Sequence, residues 1–108
     1  MKETQPEFFV ADPESTGVVW LEKLLRGNEG WMTARDLMRT DGCRYHDRDI
    51  RALASASSKI ISGQKGYKHV EHATPEEVSH AASWLESQAK KMSDRAGAIR
   101  RNAHRRIG

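Results

Sequence analysis

Residues 60–70 read IISGQKGYKHV. The isoleucine pair runs into two glycines that bracket Gln64 and Lys65. Tyr67 then restarts an alternation of Tyr67, His69 and Glu71 against Lys68 and Val70. The pattern predicts a β-hairpin with strands over 59–62 and 67–71. Its turn over 63–66 is expected to be of type I, closed by Gly66 in the left-handed region, where glycine meets no steric penalty.

Upstream of the hairpin the apolar spacing is helical. A first helix is expected to start at Ser15 or Thr16, with Val18, Leu21, Leu24 and Leu25 on one face, Trp20 at its flank and Gly27 as a left-handed cap. Trp31-Met32 is too short for more than a stub of strand. TARDLMRTDG at 33–42 begins with a capping residue and an acid three residues on, and Gly42 is expected to stop that helix. In CRYHDRDIRALASASS at 43–58, Asp47 and Asp49 suit a helix N-terminus. Ile50, Leu53, Ala54 and Ser57 form its inward stripe, so Arg48, Arg51, Ala52 and Ser55 point outward.

Downstream, Thr74-Pro75-Glu76-Glu77 is a strong helix start, and helix formers continue to Arg106 with Gly97 as the one weak point. The expected organisation is an arm over 1–14, a domain over 15–72 and a long helix over 73–108. Within the arm, Phe8, Phe9 and Val10 are candidates for docking on the domain. The fold class is mainly α with a small β-hairpin.

The 108 residues carry a net charge of only +3, but it is unevenly spread. Residues 44–68 hold six basic and two acidic side chains, and residues 90–108 hold seven basic side chains and Asp94 alone. Residues 71–89 hold four acids and neither Lys nor Arg. Two separate basic zones point to a polyanionic partner, with a solvated surface as the plainer alternative. No apolar run approaches 18 residues, so no membrane span is expected. The opening MKETQPEFFVADPEST lacks the apolar stretch of a secretory leader, and the lone Cys43 fits a reducing, cytoplasmic setting.

The order helix, stub of strand, helix, helix, hairpin resembles the winged-helix class of helix-turn-helix domains over roughly residues 16–71. TARDL, the DGCRY turn, DRDIRAL and SGQKGY carry the resemblance. The chain is also similar to small winged-helix proteins encoded by phages and prophages, on its IRxL and SGxKGY segments. The resemblance implies a double-stranded DNA partner and a third helix in the major groove, where base edges carry a distinguishable code. It makes Arg48, Arg51 and Ser55 the candidate base readers. Arg44 and Tyr45 become candidates for phosphate contact, and so do Gln64, Lys65 and Lys68 at the wing. The plainer alternative is that Arg48 and Arg51 are ordinary solvated residues that pair with Asp47 or Asp49.

The last helix carries a second regularity. Val78, Leu85, Met92 and Ile99 are seven apart, and Ala82, Ala89, Ala96 and Ala103 each follow one of them by four. A 3,4 alternation over four heptads is a coiled-coil seam, and alanine at every second seam position lets two backbones approach closely. A homodimer or larger homo-oligomer is expected, with local docking of Val78 to Leu85, aided by Ala81 and Trp84, as the alternative. Beyond the seam, Arg95, Arg100, Arg101, Arg105 and Arg106 with His104 form a basic tail suited to phosphate neutralisation.

Chemistry is poorly represented. No phosphate-binding loop, dinucleotide fingerprint or nucleophile elbow occurs, and His69 and His72 lack the further ligands a zinc site needs. Neither enzymatic activity nor a metal or other cofactor is expected. The function expected is that of a small transcriptional regulator. The alternatives are a DNA-packaging or assembly component that oligomerises through the last helix, and a winged helix devoted to protein interaction.

Overall fold

The computed structural model describes Asp12 and residues 14–107, with the side chains of Arg106 and Ile107 left aside. Most of the arm expected over 1–14, including Phe8, Phe9 and Val10, lies outside the described residues. The architecture is mainly helical: α1 (Thr16–Arg26), α2 (Ala34–Met38), α3 (Asp47–Ala56), β1 (Ile60–Gly63), β2 (Gly66–His69), a 3-10 turn (Val70–His72) and α4 (Pro75–Ile107).

Asp12 leads into α1, its carbonyl accepting from Ser15 N and its carboxylate from Glu14 N, both at 2.9 Å. Ser15 Oγ then caps Val18 N at 3.3 Å. Val18, Leu21 and Leu25 are fully buried and meet Leu37 from α2, Ile50, Leu53 and Ala54 from α3, and Ile60 from β1. Six of these side chains are sequestered, so one small core organises the described residues from 14 to 72. The expected left-handed cap at Gly27 is not what forms, since its φ is −81°. The last turn of α1 tightens instead, with Asn28 N donating to Leu25 O at 3.1 Å, and His72 Nε2 donates to Arg26 O at 2.6 Å. Carbonyls left open at the helix end are thereby satisfied locally and from 46 residues away.

α2 is shorter than its sequence pattern predicts. A reciprocal capping box starts it, Asp36 N to Thr33 Oγ1 at 3.1 Å and Thr33 N to Asp36 Oδ2 at 3.0 Å. Those hydrogen bonds from Thr33 hold the Asp36 carboxyl below its ordinary range. The helix ends at Met38, and Gly42 takes φ +80° in the turn that leads to α3 rather than at the helix end.

The hairpin pairs Ile60 with His69, Ile61 with Lys68, Ser62 with Tyr67 and Gly63 with Gly66. Residues directly opposite share a face. Ile60 and Tyr67 accordingly join the core under α1 and α3, while Ile61 and Lys68 are buried on the opposite side, which α4 covers. The stub expected at Trp31-Met32 is a single bridge, with Met32 N to Tyr67 O at 2.9 Å and Tyr67 N to Met32 O at 2.7 Å. Neither Gln64 nor Lys65 has positive φ, which excludes types II, I′ and II′ for the turn, and Gly66 follows at φ +121°. A Cβ at Gly66 would also run into the Met32 carbonyl and come within 2.9 Å of Thr33 Cα. Glycine is required there twice over.

α4 runs without a break through Gly97 for 33 residues, about 50 Å at 1.5 Å per residue. No helix among the described residues is long and apolar enough to cross a membrane.

Candidate nucleic-acid interface

α3 presents two faces of opposite character. Ile50, Leu53 and Ala54 are buried, and Arg48, Arg51 and Ser55 are exposed. The helix is held at its start by His46 N donating to Asp49 Oδ2 at 3.1 Å. Asp49 is therefore occupied in a cap. Asp47 lies 3.0 Å from Arg51 Nη2 in an exposed i,i+4 pair, as the plainer alternative for Arg51 anticipated. Such surface pairs contribute little, about 0.3–0.5 kcal/mol, and exchange readily for another anion. Arg48 makes no ion pair among the described residues. Arg44, in the turn before α3, is also exposed.

Gln64 and Lys65 stand exposed at the tip of the hairpin. Two other candidates are placed differently. Lys68 is 8% exposed, its Nζ 3.0 and 3.2 Å from the two oxygens of Glu77 and 4.9 Å from the centroid of the Trp31 ring. The expectation that Lys68 stands beside the wing tip as a phosphate contact is corrected, because α4 covers that face of β2 and Glu77 neutralises the ammonium. Glu77 also closes a capping box with Thr74, and its carboxyl is held below the ordinary range by the Thr74 backbone N–H first, then by Lys68 and the Trp31 indole. Tyr45 is half-buried. Its ring packs on the core, 5.2 Å from Trp20, with its hydroxyl against Gly17 of α1, so it supports α3 from beneath.

His69 is 4% exposed. Its Nδ1 accepts from Glu71 N at 3.1 Å, and burial lowers its pKa, partly offset by the nearby Glu71 carboxylate. The ring is a structural acceptor at the end of β2. No group of His, Cys, Asp and Glu among the described residues is arranged to hold a metal ion.

Sequence reasoning did not single out Trp31, whose ring covers Lys68 and lines a groove of about 470 Å³ between the wing and α4, with Lys65, Glu76, Glu77, His80 and Ala81. The one available signal was its place in the expected strand stub, beside Met32.

On α4 the seam residues stand in solvent: Val78 is 39% exposed, Leu85 63%, Met92 66% and Ile99 55%. Ala82, Ala89 and Ala103 are exposed and Ala96 is half-buried. Ala81 is half-buried beside the wing but Trp84 is exposed, so local docking of the seam is confined to its first turns. Arg95, Arg100, Arg101 and Arg105 are exposed along the far end, and the Arg106 side chain lies outside the described residues. Compared with models of known protein families, with curated proteins and with solved structures, the chain matches none.

Proposed function

We propose that the chain is a DNA-binding protein of winged-helix type, in which α3 reads the major groove and the hairpin tip holds the adjacent backbone. The observation that carries this reading is the two-faced α3, whose exposed Arg48, Arg51 and Ser55 oppose the buried Ile50, Leu53 and Ala54. Arginine donates in a bidentate way to guanine O6 and N7, a contact that gives about 1–3 kcal/mol of discrimination. Arg44 and Lys65 serve as backbone contacts, which position the protein without reading sequence. Lys68 drops out of this set and acts by fixing the wing to α4. The basic end of α4 adds phosphate neutralisation, and its exposed seam is covered by a second copy of the chain, giving a dimeric cytoplasmic regulator.

Titration of a fluorescent duplex mixture at several salt concentrations tests the proposal. Tight binding that falls steeply with salt is expected, and Arg48→Ala with Arg51→Ala should erase preference between sequences. Retention of preference in that double variant would refute the role given to α3. The exposed seam favours one second reading, an assembly component that forms rings on DNA. Sedimentation distinguishes the two, since a dimer on DNA supports a regulator and a larger closed oligomer supports assembly.

A further inference from the structure

Resting on the reading that α4 pairs with a second copy, we infer that the two copies of α4 lie antiparallel, in the register that sets Val78 against Ala103, Ala82 against Ile99, Leu85 against Ala96 and Ala89 against Met92. Glu77 and Ala81 face the wing, while Val78, Ala82, Leu85 and Ala89 lie about a quarter turn around the helix at 3.6 residues per turn. The described residues of the head therefore leave the seam open as a side face, with its large apolar side chains between 39% and 66% exposed.

Size decides the direction. In a parallel pair each residue meets its own counterpart, so layers of two alanines alternate with layers of two large side chains. A helix separation that suits the alanine layers overpacks the others, and one that suits the large layers leaves voids. In the antiparallel register every layer holds one alanine and one large side chain, and a single close separation serves all four heptads.

Charge decides it independently. Before residue 90 α4 carries Glu76, Glu77 and Glu86 and no Lys or Arg, whereas residues 90–108 carry seven basic side chains and one acid. A parallel pair sets Arg95 of each copy, at one edge of the seam, beside Arg100 of the other. The antiparallel pair sets the acidic half of each helix beside the basic half of the other. Glu86 then falls on the same side of the seam as Arg100 of the second copy, about 7.5 Å away along the axis and within reach of long side chains. The two heads stand at opposite ends of the paired helices, their α4 starts about 46 Å apart.

Cross-linking of the full chain tests the arrangement. In a Cys43→Ser background, Val78→Cys and Ala103→Cys chains are prepared separately and then mixed under mild oxidation, beside sedimentation of the native chain. Dimeric native protein is expected, with a disulfide dimer in the mixture and at least tenfold less in either variant alone. Cross-linking of Val78→Cys to itself would overturn the antiparallel direction while leaving self-association standing. A dimer in which no combination cross-links would overturn the register. A native chain that sediments as a monomer at tens of micromolar would overturn the pairing itself, and this inference with it.

Discussion

The ammonium of Lys68 sits 3.0 Å from Glu77 Oε1, and this pair joins β2 to the first turn of α4. Lys68 is nearly buried, so a carboxylate and the face of Trp31 replace the water it loses. The same carboxylate caps α4 through Thr74, so one side chain holds both the start of the long helix and its attachment to the wing.

Removal of this lysine destabilises the chain. Lys68→Ala leaves Glu77 without its partner and strips packing from Trp31, a loss of about 1–3 kcal/mol in urea denaturation. Lys68→Met keeps the stem against the ring and should recover part of it. Neither change should alter the number of phosphates neutralised, so the slope of log affinity against log salt stays as in the native chain.

Lys65 behaves in the opposite way. Exposed at the tip, its replacement by Ala leaves the melting temperature unchanged but lowers the salt slope by about 1. The loss of affinity is expected to be uniform across sequences, as measured by anisotropy on several duplexes.

Gly66→Ala is expected to cost about 3 kcal/mol or more, because φ +121° is strained for alanine and its Cβ meets the Met32 backbone. Gly30→Ala is the control. A Cβ there meets nothing within 4 Å, and stability should shift by no more than about 0.5 kcal/mol.

Stability falls in two steps as pH is lowered. The unfolded chain protonates His69 near pH 6.5. The folded chain resists that proton, because the ring is buried and its Nδ1 already accepts from Glu71 N. Its contribution is full above pH 6.5 and is lost progressively from there down through the folded pKa. Asp36 and Glu77, whose folded carboxyls are depressed, contribute fully above the ordinary carboxylate range and lose that contribution as pH falls through their folded values. His69→Gln should flatten the pH dependence of the melting temperature just below pH 6.5 and leave the acid step in place.

Much of the fold was legible because local rules and burial agree. The stripe Val18, Leu21 and Leu25, the box formed by Thr33 and Asp36, and the start at Thr74-Pro75 all form as their spacing predicts. Gly27 differs because a distant histidine serves the helix end in place of a left-handed cap. Lys68 was misjudged because period-2 alternation separates the faces of β2 but cannot tell that both are covered. That depends on α4 folding back over Ile61. The packing of Tyr45 was not legible either, since nothing local indicates that its hydroxyl lies against Gly17 of α1. In the candidate site, the exposure of Arg48, Arg51 and Ser55 followed from the stripe opposite them.

Selection of retained sequences from random double-stranded DNA at two salt concentrations tests whether α3 and the wing bind DNA with sequence preference. Broad retention at low salt and an enriched motif at higher salt are expected, the motif being lost when Arg48 and Arg51 are both replaced by Ala. No retention at low salt, or retention with no enriched motif at either concentration, would contradict such binding.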